Sequence, residues 1–104
     1  MDMGNLQRMA MQMQQEMERI QAELATTEVE GSAGGGVVRA VVTGKQSLVS
    51  ITIDPSAVDA DDVDMLQDLV IAAVNEALDA SRRVADQKMG AMTAMSGLGG
   101  LLGR

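Results

Sequence analysis

The sequence contains no cysteine, no histidine and no phenylalanine, tyrosine or tryptophan among its 104 residues. The missing cysteine excludes a disulfide framework and thiolate chemistry. Without histidine as well, the side chains that most often act as general bases or bind transition metals are absent. Because an enzyme needs a group that titrates near neutral pH or a metal cage, the composition predicts a protein that is not an enzyme and has no metal or other cofactor.

The lack of aromatic side chains also limits the core, since these residues usually provide the largest contacts in a small domain. Ten methionines take over part of that role, because their flexible thioethers fill irregular gaps. One domain of this length has only a marginal core, so we expect an oligomer. No apolar run approaches the ~18 residues of a membrane span, and the N-terminus has no signal-peptide pattern. These features predict a cytoplasmic protein without a membrane partner.

The formal net charge is −7, which by itself argues against nucleic acid as a partner. The acids are unevenly distributed, however. Residues 54–79 hold eight acids and no base, and the segment that follows them is locally basic.

Residues 3–26 carry a heptad seam, which predicts a long helix. Apolar residues recur there at alternating spacings of three and four: Met3, Leu6, Ala10, Met13, Met17, Ile20 and Leu24. Such a helix measures about 36 Å at about 1.5 Å per residue, which is longer than so small a domain can cover. We therefore expect part of it to project or to pair with another helix.

Residues 27–53 switch to the alternation that is typical of β-strands. The predicted strands are 28–32, 37–43 and 48–53, joined in meander order and therefore antiparallel. The glycines between the first two strands supply the positive φ values that a turn or bulge needs. In the second strand Val38, Ala40 and Val42 share one face, which we expect to be covered.

A second helix is predicted from near Ala60, capped by Asp59, to near Gly90. Its apolar stripe consists of Val63, Leu66, Val70, Ala73, Ala77, Ala80 and Val84. Residues 91–104 are rich in Gly and Met and are predicted to be a flexible C-terminal tail. The chain is thus predicted to hold one domain, residues 1–90, of the α+β class, with a three-stranded antiparallel sheet between two long helices.

Two local motifs have an ordinary structural explanation. The cluster Asp59, Asp61, Asp62 and Asp64 suits a hard cation, but it lacks the glycine and the distal glutamate of an EF-hand loop. It also lies where the N-terminus of a helix favours acids, so capping is the favoured interpretation and cation binding the weaker alternative. The glycine run precedes a strand, and no Lys-Ser/Thr pair follows it, which excludes both nucleotide-binding fingerprints.

Two interpretations of Arg82, Arg83 and Lys88 remain open. These cations could complement the negative C-terminal dipole of the second helix. In a two-fold dimer they could instead join Arg39 and Lys45 in a surface for the DNA backbone. With no aromatic platform for unpaired bases, duplex DNA is favoured over a single strand.

The order of these motifs resembles the YbaB/EbfC family of nucleoid-associated DNA-binding proteins. The similarity covers roughly residues 3–89 and includes ELATTEVEGSAGGGVVRAVVTG, VSITIDPSAV and LQDLVIAAVNEAL. The family pattern V-x-G-x-x-G-G-G-x-V is present as Val29, Gly31, Gly34, Gly35, Gly36 and Val38. The pattern L-x-D-L-x-x-A-A-x-N-x-A is present as Leu66, Asp68, Leu69, Ala72, Ala73, Asn75 and Ala77.

The resemblance implies an intertwined homodimer formed through the sheet and second helix, with paired helical arms that project from it. It implies DNA binding on the nucleoid, and architectural roles for the glycines and the region of Asn75. In many bacteria the genes of this family lie beside those of a replication clamp-loader subunit and a recombination mediator. Replication or recombination-repair proteins are therefore further candidate partners.

We therefore expect a non-catalytic, nucleoid-associated homodimer that binds duplex DNA largely through phosphate contacts with little sequence specificity. The predicted DNA-binding residues are Arg82, Arg83, Lys88, Arg8, Arg19, Arg39 and Lys45. The alternative is an acidic adaptor that docks a basic replication or recombination-repair protein through residues 54–79 and the Met-lined first helix, with weak or no DNA binding.

Overall fold

The computed structural model describes residues 2–96, which form two α-helices and a three-stranded antiparallel sheet. The helices are α1 (Met3–Thr26) and α2 (Val63–Ser96), and the strands are β1 (Glu28–Ala33), β2 (Val38–Thr43) and β3 (Leu48–Ile53). The strands follow one another in the sheet in the order β1-β2-β3. This arrangement confirms the predicted α+β class and the order α-β-β-β-α.

Helix α1 packs only near its C-terminal end. Asp2 caps its start, because Asp2 Oδ1 accepts a hydrogen bond from Gly4 N at 3.0 Å. Ile20 and Leu24 are buried, whereas residues 3–15, which we call the α1 arm, are exposed throughout. The arm belongs to a molecule 71 Å long and only 16 Å thick. A helix too long for its domain projects from it, as the heptad seam predicted.

The core lies between α2 and the sheet and is built from small side chains. Its fully buried apolar residues are Val38, Ala40 and Val42 from β2 and Ala73 and Ala77 from α2. The helix approaches β1 so closely that a β-carbon added at Gly31 would lie 2.3 Å from Ala77 N. Close backbone packing thus fills the space that aromatic side chains occupy in other small cores.

Strand β3 lies beyond α2, which packs across β1 and β2. In the antiparallel register, Ile53, Ile51 and Leu48 pair with the buried Val38, Ala40 and Val42 and so share their face of the sheet. The three β3 residues are 37%, 39% and 50% exposed, whereas their β2 partners are 0% exposed. We call Leu48, Ile51 and Ile53 the open β3 face. It is an apolar surface that continues the core and that residues 2–96 of a single chain leave partly exposed.

The predicted bounds of α2 are wrong at both ends. The helix begins at Val63 instead of Ala60, because residues 59–62 form a turn that Asp62 N closes by donating to Asp59 O at 3.0 Å. Asp62, and not Asp59, is the cap, since Asp62 Oδ1 accepts from Met65 N at 3.1 Å. At the other end the helix continues past Gly90 to Ser96, because one glycine weakens a helix without ending it.

The strand bounds differ from the prediction by one residue. Strand β1 continues to Ala33, and β2 begins at Val38 instead of Val37. The glycines between them have φ values of 64°, 75° and 97°, which confirms the positive-φ turn. The division into a domain of residues 1–90 and a flexible tail of residues 91–104 stays a prediction, because residues 97–104 lie outside the described part of the chain.

Candidate functional site

The C-terminal half of α1, the β2–β3 turn and the C-terminal half of α2 meet at one end of the sheet. Ser81, which the predicted apolar stripe omitted, is fully buried there, and its Oγ donates to Thr43 O at 2.7 Å. Gly44 N donates to Thr27 O at 2.8 Å and joins the turn to the end of α1. We call this region, comprising residues 16–27, 43–47 and 81–92, the helix junction.

The helix junction contains five of the seven predicted DNA-binding residues. These are Arg19, Lys45, Arg82, Arg83 and Lys88. Arg8 lies apart from them on the α1 arm, and Arg39 lies on β2 outside the junction. Lys88 is partly buried and the other six cations are exposed.

Glu23 holds two of these cations at once. Arg19 donates to both Glu16 and Glu23, and its Nε lies 3.1 Å from Glu16 Oε2. Lys88 Nζ lies 3.0 Å from Glu23 Oε2, so this pair links α2 to α1. The hydrogen bond from Lys88, with a contribution from Arg19, lowers the pKa of Glu23, and the hydrogen bond from Arg19 lowers the pKa of Glu16. Both carboxylates are therefore charged at neutral pH and neutralise the cations beside them.

Two further cations also have internal partners. Arg82 Nη1 lies 2.7 Å from Asp79 Oδ1 within α2. Arg39 Nη1 lies 3.6 Å from Glu30 Oε1 across the sheet, and its Nε donates to Gly36 O at 3.2 Å. Such exposed pairs are weak, but they leave less positive charge for an external anion.

The interpretation of Arg82, Arg83 and Lys88 as partners of a helix dipole is wrong. Helix α2 ends at Ser96 and has no basic residue in its last turn. The dipole acts only within about the last turn, so it does not account for the position of these cations.

Three of the predicted DNA-binding residues are unpaired. Arg8, Lys45 and Arg83 make no ion pair and no side-chain hydrogen bond to any residue that the structure describes. Arg83 and Arg82 are neighbours on the same helix and differ in that only Arg82 has a carboxylate partner. The three unpaired cations can receive an external anion without losing an internal contact.

In the acidic cluster at the start of α2, the carboxylates of Asp59 and Asp62 accept hydrogen bonds from backbone N–H groups of the turn and the helix. Asp59 Oδ1 accepts from Asp61 N at 2.9 Å, and Asp62 caps the helix. Over residues 2–96, no group of three or more acidic side chains is arranged to hold a metal ion. Within the same residues, no helix combines the length and the apolar character that crossing a membrane requires.

Comparison with known proteins identifies the family. The sequence model of the YbaB/EbfC DNA-binding family matches residues 1–97, nearly the whole chain. This chain belongs to the YbaB/EbfC DNA-binding family. The match confirms the resemblance that the glycine-rich segment and the two helices indicated.

Curated relatives of this YbaB/EbfC protein are named nucleoid-associated proteins. It is 47% identical to one from Ruminiclostridium cellulolyticum, over 98% of this chain and 87% of that protein. A relative from Acetivibrio thermocellus is 48% identical over 98% and 88% of the two chains, and one from Saccharopolyspora erythraea is 49% identical over 96% and 90%. The crystal structure of HP0035, an uncharacterized protein from Helicobacter pylori, matches with a TM-score of 0.77 at 24% identity, over 88% of this chain and 97% of that one. That last likeness concerns the fold alone.

Sequence reasoning found the cations of this YbaB/EbfC protein but missed their partners. The spacing of three between Glu16 and Arg19, and between Asp79 and Arg82, was a usable signal, because such residues are neighbours on a helix surface. The pair of Lys88 and Glu23 joins residues 65 positions apart. No local spacing indicates it, since it depends on how α2 packs against α1.

Proposed function

We propose that this YbaB/EbfC protein is a non-catalytic, nucleoid-associated homodimer that binds duplex DNA through phosphate contacts with little sequence preference. Family membership supports DNA as the partner, and the relatives' names support the nucleoid, within the cytoplasm, as the location. The single observation that carries the phosphate contacts is the exposed, unpaired state of Arg8, Lys45 and Arg83.

The chemistry of these three residues favours the DNA backbone. Guanidinium and ammonium groups form charge-assisted hydrogen bonds with phosphate oxygens, and such contacts carry no sequence information directly. The chain has no aromatic residue on which an unpaired base could stack. Each phosphate contact releases counterions from the duplex, so binding should weaken as salt is added. The net charge of −7 repels the duplex as a whole, and salt screens that repulsion as well.

The open β3 face supports the homodimer. Leu48, Ile51 and Ile53 continue the apolar face that α2 covers on β2, and they stay partly exposed beside the described residues of a single chain. A second copy that packs there would bury this apolar surface, which is favourable by about 25 cal/mol for each Å² removed from water. A dimer would also double the number of unpaired cations available to one duplex.

The experiment is a titration of the protein into fluorescently labelled duplexes of unrelated sequence, followed by anisotropy between about 50 and 200 mM salt. The variant Lys45→Gln/Arg83→Gln removes two unpaired cations. The matched control Arg39→Gln/Arg82→Gln removes two paired cations and changes the net charge equally. We expect the first variant, which removes four cations from each dimer, to weaken binding at least about tenfold at about 50 mM salt and to lower the magnitude of the salt slope by about two to four. The control should weaken binding by less than about threefold.

Two results would contradict the proposal. Equal losses in the two variants would mean that unpaired cations are not the preferred phosphate contacts. If the wild-type protein fails to bind any duplex at about 50 mM salt, DNA is not its partner under these conditions. The adaptor for a basic replication or recombination-repair protein would then be the function to test.

A further inference from the structure

Glu23 is the one carboxylate of the helix junction that contacts cations of both helices. Glu23 Oε1 accepts from Arg19 on its own helix, and Glu23 Oε2 accepts from Lys88 on α2 at 3.0 Å. Both oxygens of a single carboxylate are therefore occupied by groups that a phosphate would otherwise bind. We propose that Glu23 limits the DNA affinity of this protein by holding Arg19 and Lys88 in internal ion pairs, an inference that rests on the proposed function.

The position of the pairs allows DNA to compete for the two cations. Glu23, Arg19 and Lys88 line an open cleft between the helices, together with Ile20 and Ala91. The side chains of Glu23 and Lys88 are 40% and 34% exposed, so solvent and ligand reach the pair from outside. An exposed ion pair contributes little to stability. The phosphates of a duplex can therefore displace Glu23 from the two cations, but breaking each ion pair lowers the observed affinity for DNA.

The two cations are not held equally. Arg19 has a second partner in Glu16 and stays paired when Glu23 is removed. Lys88 has Glu23 as its only carboxylate partner among the described residues. Neutralising Glu23 should therefore release Lys88 fully and Arg19 in part, which corresponds to about one additional phosphate contact in each protomer.

The test compares Glu23→Gln with Glu18→Gln in the same duplex titration. Glu18 lies on α1 as well, is exposed and has no ion pair with any described residue, so the control makes the same chemical change on the same helix. We expect Glu23→Gln to bind about three- to tenfold more tightly at about 100 mM salt, with a salt slope steeper by about two, one contact from each protomer of the dimer. Glu18→Gln should bind less than about twofold more tightly with an unchanged slope, since it changes only the long-range field. Far-UV circular dichroism of both variants checks that the fold is intact.

A double-mutant cycle assigns the gain to Lys88. Glu23→Gln is also made in a Lys88→Gln background, where no lysine can be released. We expect most of the gain in affinity to disappear there. A gain of the same size in both backgrounds, or an equal gain in Glu18→Gln, would overturn the proposal.

The same titration separates failure of this inference from failure of the proposed function. A wild-type protein that binds duplex DNA, with Glu23→Gln no tighter than Glu18→Gln, overturns the role of Glu23 and leaves DNA binding intact. If the wild-type protein does not bind but Glu23→Gln binds measurably, the result supports the proposal that Glu23 neutralises the cations of the helix junction. Absence of binding in both overturns the two proposals together.

Discussion

The close approach of α2 to β1 depends on the side chain that Gly31 lacks. A β-carbon there would lie 2.3 Å from Ala77 N and 2.5 Å from Ala73 O. Both are backbone atoms, so no side-chain rotation can relieve the clash. We expect Gly31→Ala to reduce the free energy of unfolding by about 3 kcal/mol, because the helix must move away from the sheet. Urea titration followed by far-UV circular dichroism measures this, since the chain has no aromatic fluorophore.

Gly90→Ala is the matched control at the residue scale. An added β-carbon at Gly90 meets no heavy atom within 4 Å, and Gly90 lies inside α2. Alanine should therefore raise the free energy of unfolding by about 0.5–1 kcal/mol through helix propensity alone. A Gly31→Ala variant as stable as the wild-type protein would show that the helix and sheet are not packed this closely.

Single residues were predictable where local chemistry decides and unpredictable where packing decides. The three positive-φ glycines followed from the turn that two strands require, and the cations were evident from their charge. Whether a cation is free was not evident. Asp79 lies three residues before Arg82 and four before Arg83, and both spacings allow a contact on a helix, yet only Arg82 is paired with it. Lys88 is paired because α2 brings it to Glu23.

At the scale of elements, the start of α2 depends on Asp62. The predicted cap was Asp59, but its carboxylate accepts from Asp61 N in the turn before the helix. Asp62 Oδ1 accepts from Met65 N and so satisfies one of the free donors of the first turn. We expect Asp62→Ala to lower the free energy of unfolding by about 1 kcal/mol and Asp59→Ala by less than about 0.5 kcal/mol, measured by urea titration. The reverse order would restore Asp59 as the cap.

The existence and type of both α-helices and all three strands could be predicted, whereas some boundaries could not. The heptad seam of α1 and the alternation in β2 are strong periodic signals. Helix α1 has the predicted bounds, and β2 differs from the prediction by one residue at its start. The start of α2 offered four aspartates that can all cap a helix, and the choice among them depends on the turn that precedes it. Its end was expected at Gly90, but glycine is a weak stop signal when the flanking residues are helix formers.

At the scale of the whole molecule, the sequence indicated that surface would remain uncovered but not which surface. The over-long seam predicted the projecting α1 arm. The open β3 face was not predicted, because its alternating pattern is the same as that of a covered strand. Its exposure results from the path of α2, which covers β1 and β2 and leaves one edge of the apolar sheet face open. An apolar strand at a sheet edge favours association, and this makes β3 the decisive place to test the proposed homodimer.

The dimer is tested by placing one charge on either side of β3. Ile51→Asp introduces it on the open β3 face, where pairing with a second copy would bury an unpaired carboxylate, and we expect the protein to become monomeric. Thr52→Asp introduces the same charge on the opposite face, beside the exposed Arg39, and should remain dimeric. Size-exclusion chromatography with light scattering gives the mass of each variant, and circular dichroism shows whether the protomer is still folded.

Since Ile51 is 39% exposed in the single chain, its replacement should not unfold the protomer. A dimeric Ile51→Asp variant would place the interface elsewhere, and a monomeric wild-type protein would remove the homodimer from the proposal and reduce the unpaired cations available to one duplex by half.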